Sequence, residues 1–380
     1  MEEIYNLLLK KSKEELIDIV HNLFSDRNYP VYTTPKNELA HFIANEYVNG
    51  PVLNNLFSSV SSNCLKGLTE LMCIPTDFSI DPNYDSCEIF YNFGLIRKKY
   101  NNYYPTQLLA ERLYLFNTQR DKYLNKELNW IGSCFHFAND FYGIYPLEAV
   151  FIMANNREED MDKRTFLALA QQISSYALEA VAVSVDAYQP LETIIKANSL
   201  KEGERDFLFS AQANCDYVIP NKQTVDQYDS LGYIPNESLD SLFEFVKEEK
   251  GDEDFAQLFV LTVFETNRFS LNFEQYRNNL EALLLMVEFN DMERLEQLIH
   301  EIYFTSPALR CKGGIPQVND IVGLMLDGIS LTLKQVLHDL DSEKAMTFVK
   351  ETFLDIDAKF HEYFGDEVKD VDLFKNLPLS

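Results

Sequence analysis

The feature that most constrains this chain is the spacing of its large apolar side chains, which recur every third or fourth residue along most of its length. Phe273, Tyr276, Leu280, Leu283, Leu284 and Val287 form one such stripe, and Ala345, Phe348, Val349, Phe353, Ile356 and Phe360 form another. At about 3.6 residues per turn these positions stack on one face of a helix, whereas on a strand they would scatter over both faces. The same period predicts helices near 223–230, 237–249, 254–268, 272–287 and 291–304. Beyond a Pro/Gly-rich loop it predicts more near 316–326, 331–340 and 342–364. Upstream it predicts helix over 118–142 and 146–155, split at Gly143 with Pro146 opening the second piece, and another from Asp162. The run LEAVAVSVDAY at 178–188 fits a strand and a buried helix about equally, so a strand pair near 176–220 stays open. The fold class is therefore mainly α.

Length decides how that helical chain is divided. At 380 residues it exceeds the size at which one core usually stops growing, which predicts a multi-domain protein. A hydrophobic fraction of 46%, with 28 Phe and 21 Tyr, is enough to fold it. The expected division is a helical module at 1–50, a second unit at 51–117, a large helical domain at 118–306, and a C-terminal helical segment at 307–380 with a loose tail from Asp366. No stretch approaches the roughly 20 apolar residues of a bilayer crossing, and the start, Met1-Glu2-Glu3, is acidic where a signal peptide is basic. Six dispersed cysteines form no CxxC pair and read as reduced thiols. The expectation is a cytoplasmic protein without membrane contact.

The first module rests on two capped helices. Ser12 followed by Glu15 is a capping box ahead of Leu16, Ile19, Val20 and Leu23; Thr34-Pro35 opens a second helix, with Pro at its first position and Leu39, Phe42, Ile43 and Tyr47 on one face. SKEELIDIV, a loop, then TPKNELAHFI resembles the small SAP-like helical module, also seen at the N-terminus of transcription terminator Rho. That resemblance covers residues 8–48 and implies a nucleic-acid-holding loop. Here the loop is SDRNYPVYT, with Arg27 its only cation, and residues 1–50 carry 5 basic against 8 acidic side chains, so the departure lies in the binding residues.

Residues 51–117 show helical patterns near 51–63, 65–72 and 86–93, and then GLIRKKYNNYYPTQLLAERL. Leu95–Tyr100 and Tyr103-Tyr104 read as two short strands about an Asn101-Asn102 turn. Three helices and a hairpin resemble winged-helix order, which implies that the helix before the wing could enter a groove of DNA. That helix, Cys87-Glu88-Ile89-Phe90-Tyr91-Asn92-Phe93, has one acid and no base and suits packing against protein. The wing is more nucleic-acid-like. Together with the first module it nominates Lys10, Lys11, Lys13, Arg97, Lys98, Lys99, Tyr100 and Tyr103 as candidate nucleic-acid contacts.

Charge separates the chain into two parts. Residues 1–120 hold 11 Lys+Arg and 14 Asp+Glu, net -3; residues 121–380 hold 22 and 46, net -24. Such a field repels phosphate backbones and anionic lipid, so nucleic acid is reachable through the N-terminal third alone.

A search for chemistry returns pairs rather than sites. Glu296 with His300, Asp357 with His361, and His136 with Asp140 near Cys134 are i,i+4 pairs, each lacking a second half of a metal motif. RCKGG at 310–314 offers cations and glycines before Pro316 without the ending of a phosphate loop, and reads as an interhelical turn. No catalytic residue, metal ligand or cofactor is nominated. The expected function is a non-enzymatic interaction or regulatory protein whose acidic helical body meets another protein, one of basic character. Three alternatives are nucleic-acid association through the N-terminal modules, an acidic mimic of nucleic acid, and an enzyme whose site is assembled from distant residues.

Overall fold

The computed structural model describes residues 1–24, 29–73, 84–99, 102–157, 160–184, 189–200, 208–209, 211–212, 215–270 and 272–315. The chain divides into two compact units, Met1–Gly314 and Ile315–Ser380. The helices expected at 316–326, 331–340 and 342–364, with the stripe from Ala345 to Phe360, lie outside the described residues.

The first unit is mainly helical. It opens with α1 (Glu2–Leu8), α2 (Lys13–Leu23) and α3 (Lys36–Asn49). The capping box forms: the Ser12 hydroxyl accepts from the Glu15 amide at 3.1 Å, and the Glu15 carboxylate accepts from the Ser12 amide at 2.5 Å. Pro35 is the flanking residue of α3 rather than its first helical one. Leu39, Ile43 and Tyr47 are buried as the spacing requires, and the Tyr47 hydroxyl donates to the Phe93 carbonyl at 2.9 Å.

Helices α4 (Val52–Ser59), α5 (Ser62–Cys73) and α6 (Tyr84–Asn92) come next. After Gly94, at φ 73°, an antiparallel hairpin pairs β1 (Ile96–Lys99) with β2 (Asn102–Pro105), Lys99 lying opposite Asn102. Asn102, expected in the turn, is thus the first residue of β2. Thr106 caps α7 (Gln107–Thr118), a short α8 (Arg120–Tyr123) succeeds it, and Asn125 caps α9 (Lys126–Phe141). The single helix expected at 118–142 is therefore interrupted. Its physical reason is the Asn125 side chain, which accepts from the Leu128 amide at 3.2 Å and starts a new helix.

α9 is buried on nearly every side and organises the unit. Gly132 lets it approach the end of α4 so closely that a Cβ there would lie 2.8 Å from the Ser59 carbonyl oxygen. In return α9 satisfies that helix end: Asn129 donates to the Ser58 carbonyl and the His136 ring nitrogen bonds the Ser59 carbonyl, both at 3.1 Å.

Beyond Gly143, β3 (Ile144–Pro146), α10 (Leu147–Ala154), α11 (Lys163–Ala170), α12 (Ser175–Leu178), β4 (Ala180–Ser184) and β5 (Ile194–Ala197) follow, with strand order β3-β5-β4, all antiparallel. Residues 180–184 are thus strand. Five helices close the described chain: α13 (Lys222–Leu231), α14 (Glu237–Lys250), α15 (Glu253–Phe269), α16 (Phe273–Met286) and α17 (Met292–Thr305). Each begins on an Asn or Asp, namely Asn221, Asn236, Asp252, Asn272 and Asp291, whose side chain accepts a first-turn amide. One apolar cluster runs from Ile4 to Tyr303. Among the described residues, no helix is long and apolar enough to cross a membrane.

Candidate interaction surfaces

Three of the nominated residues, Lys11, Lys98 and Tyr103, come together. Tyr100 lies outside the described residues, and Lys99 is placed as the last residue of β1. The Lys11 ammonium lies over the Tyr91 ring at 5.3 Å, Tyr91 meets Tyr103 edge to face at 6.2 Å, and Lys98 lies over Tyr103 at 5.0 Å with a 3.2 Å hydrogen bond to its hydroxyl. Arg97 pairs with Glu3 of α1 at 3.5 Å. A Lys-Tyr-Tyr-Lys ladder thus joins the first helices to the hairpin.

Those cations already have work inside the fold. Lys11 is only 13% exposed and lies 3.6 Å from Glu15; Lys13 turns away to donate to the Tyr32 carbonyl at 2.9 Å; Lys10 stands exposed after α1. Each exposed pair contributes roughly 0.2–1 kcal/mol, so the ladder is a light clamp. Tyr91, the rung that joins the two modules, was read from sequence only as part of an apolar helix. Its exposure next to buried Phe90 is the signal that distinguishes it.

The second surface spans α14 to α17. Residues 237–305 carry 16 acidic and 5 basic side chains, net -11. Asp240, Glu244 and Glu248 recur every fourth residue and stand exposed along one stripe of α14, while Glu293 and Glu296 are exposed on α17.

Inside this body two arginines serve as struts. Arg268 of α15, 5% exposed, reaches the Asp140 carboxylate of α9 at 2.8 Å, and the same oxygen accepts from the Tyr228 hydroxyl of α13 at 2.6 Å. Burial opposes the charge of Arg268, but Asp140 and its neighbours outweigh burial and hold its pKa above the usual value. RCKGG reads from sequence as an interhelical turn, and in the structure its Arg310 is buried, donating to the carbonyls of Asn267, Ser270 and Tyr303 at 2.9–3.0 Å and to the Asn267 side chain at 3.1 Å, over the Tyr303 ring at 3.9 Å. It thereby satisfies carbonyls at the ends of α15 and α17, where the helix dipole favours a cation. Lys312 donates to the Cys215 carbonyl at 2.8 Å, so the RCKGG cations are engaged internally.

A cleft of about 260 Å³ lies between α16 and α17. Tyr276, Leu280, Leu284 and Ile299 supply apolar wall, and Arg277, Glu296 and His300 the polar part. Burial holds the pKa of His300 below its usual value, against the opposing pull of Glu301, so the ring is neutral at neutral pH. The Glu296–His300 pair noted from its spacing therefore lines a cleft. His136 and Asp140, the other described pair, are turned to Ser59 and to Arg268, and Asp357 with His361 lies outside the described residues. Among the described residues no group of three or more His, Cys, Asp or Glu is placed to hold a metal ion. No protein-family model, no curated protein and no solved structure matches the chain.

Proposed function

We propose that this chain is a non-enzymatic interaction or regulatory protein whose acidic helical body, α14 to α17, engages a basic partner protein. The observation that carries the reading is the sorting of charge: the deep guanidiniums of Arg268 and Arg310 are consumed as struts, while Asp240, Glu244, Glu248, Glu293 and Glu296 stand exposed. A field of one sign raises association rate and selects against acidic partners more than it adds affinity. The test is affinity capture by the full chain from lysate of its own source, with nuclease present and absent. It is repeated with a variant carrying glutamine or asparagine at Glu244, Glu248 and Asp240. A basic protein that survives nuclease and is lost with the variant supports the reading; recovery unaffected by the variant refutes it.

A second reading has its own observation, the ladder that brings Lys11, Tyr91, Tyr103 and Lys98 together, with Arg97 adjacent in β1. Under it the SAP-like segment 8–48 and the winged-helix-like segment 51–117 form a nucleic-acid-associated module using Lys10, Lys11, Lys13, Arg97, Lys98, Lys99, Tyr100 and Tyr103. Fluorescence anisotropy with a labelled single-stranded oligonucleotide decides it. Binding that falls steeply with salt and is lost on Arg97→Ala/Lys98→Ala supports it, and absence of binding at low salt excludes it.

A further inference from the structure

Carboxylates spread over four helices give a partner a direction of approach but no address. The α16–α17 cleft adds shape to the charge. The two helices are pinned at one end, where Phe273 meets His300 and Tyr303 edge-on at 5.0 and 5.1 Å and the Tyr276 hydroxyl donates to the Ile299 carbonyl at 3.0 Å. Beside that junction Leu280, Leu284 and Ile299 leave an apolar recess.

Its size narrows the occupant. Cofactors and drug-sized ligands occupy cavities of roughly 300–1,000 Å³, and this cleft of about 260 Å³ falls below that range. One large side chain fits the space, and buried aromatic or aliphatic anchors are what dominate protein interfaces. Charge narrows it again. Residues 273–305 carry seven acidic side chains against two basic ones: Glu296 and Arg277 offset each other in the cleft wall, and Glu274, Glu281 and Glu293, exposed on the same two helices, make the surround acidic. The neutral His300 adds no cation. A second copy of this chain, at net -27, would be repelled.

We infer that the cleft is an anchor site for a basic segment of a partner protein: one large apolar side chain enters between Leu280, Leu284 and Ile299, and flanking Lys or Arg residues pair with Glu296 and the neighbouring carboxylates. This rests on the acidic body being a protein-binding surface, and it adds where on that surface recognition occurs.

A displayed library of random 16-residue peptides, selected on the immobilised full chain, tests this without knowing the partner. Enriched peptides are synthesised with a fluorescent label and measured by anisotropy. The expected pool shares one Trp, Phe or Leu flanked by Lys or Arg, and replacing that anchor by Ala in the peptide raises Kd by about 10- to 100-fold. Leu284→Glu in the chain has a similar effect, and Glu296→Lys raises Kd about tenfold with a shallower salt dependence. Because the anchor change is made in the peptide, it does not depend on how a variant chain folds. Basic peptides that bind the Leu284→Glu chain and the anchor-less form unchanged overturn the anchor site; if their affinity still falls on Glu244→Lys/Glu248→Lys, on α14 and outside the cleft lining, the acidic-surface reading survives alone. A pool without basic peptides overturns both.

Discussion

The hairpin region and the acidic body use arginine in opposite ways. At the hairpin, Arg97, Lys11 and Lys98 lie at or near the surface and are held by one or two partners each, among Glu3, Glu15, Tyr91 and Tyr103, each weak in water. In the body, Arg268 and Arg310 are withdrawn from solvent and held by several partners each, and the carboxylates are left outside. A cation in sequence therefore says little about surface potential until its burial is known. The region richest in apparent contacts for an anion sets two of its cations, Lys11 and Arg97, against carboxylates, and the region with the strongest field has buried two of its arginines while Arg277 and Arg294 stay exposed.

The comparison breaks first at Arg310. Arg310→Ala takes the guanidinium from three buried main-chain carbonyls, of which that of Asn267 keeps the Ser270 amide, and is expected to lower unfolding free energy by about 3–5 kcal/mol, read as a fall in the urea midpoint by circular dichroism. Arg310→Lys keeps charge but not the planar fork, and recovers less than half of the loss. A cost below about 1 kcal/mol for the alanine variant would show that water replaces the guanidinium, and the contrast between deep and surface cations would fail.

Asp140→Ala comes next. It removes the carboxylate from an arginine 5% exposed, while Asp140 itself keeps 28% exposure and some hydration. The expected cost is about 2–4 kcal/mol, and a double-mutant cycle with Tyr228→Phe should show coupling above about 0.5 kcal/mol, because both partners share one carboxylate oxygen.

These two networks mark the limit of what was legible in sequence. The local devices could be read directly: the Ser12–Glu15 capping box, the helical stripe from Phe273 to Leu284, and the hairpin after Gly94 all depend on residues close in the chain. The short strand Ile144–Pro146 was missed because three residues give no alternation to read, and its pairing with Ile194–Lys196 spans some fifty residues. The role of Arg310 was not legible because the glycines after it signal only a turn, while its four acceptors come from 267, 270 and 303. The Glu296–His300 pair was visible as spacing, but the cleft it borders needs Leu280 and Leu284 from another helix.

A pH titration sharpens the contrast more gently. Because burial holds the folded-state pKa of His300 below its unfolded value of 6.5, the unfolded chain binds the extra proton first. Its contribution is intact above about pH 6.5 and is lost as pH falls through the folded pKa. The urea midpoint should therefore drop between about pH 7 and pH 5, and His300→Gln should flatten that part of the slope by less than either strut variant costs. An unchanged slope would mean that His300 does not titrate differently on folding.

The smallest effect is expected at the clamp. Glu3 joins three elements, accepting from Arg97 of β1 at 3.5 Å and from the Gln107 amide at the start of α7 at 3.2 Å. Glu3→Gln keeps an acceptor for the amide and removes only the charge, so about 0.2–1 kcal/mol should be lost at low ionic strength and almost none near 1 M salt. The variant also leaves Arg97 and its neighbours with one fewer competing carboxylate. If oligonucleotide binding rises in Glu3→Gln while stability barely changes, the clamp is an electrostatic cover over a polyanion-binding face, and the nucleic-acid reading gains over the acidic-body reading. If binding stays absent, the ladder is structural, and its cations serve to hold α1 and the hairpin together.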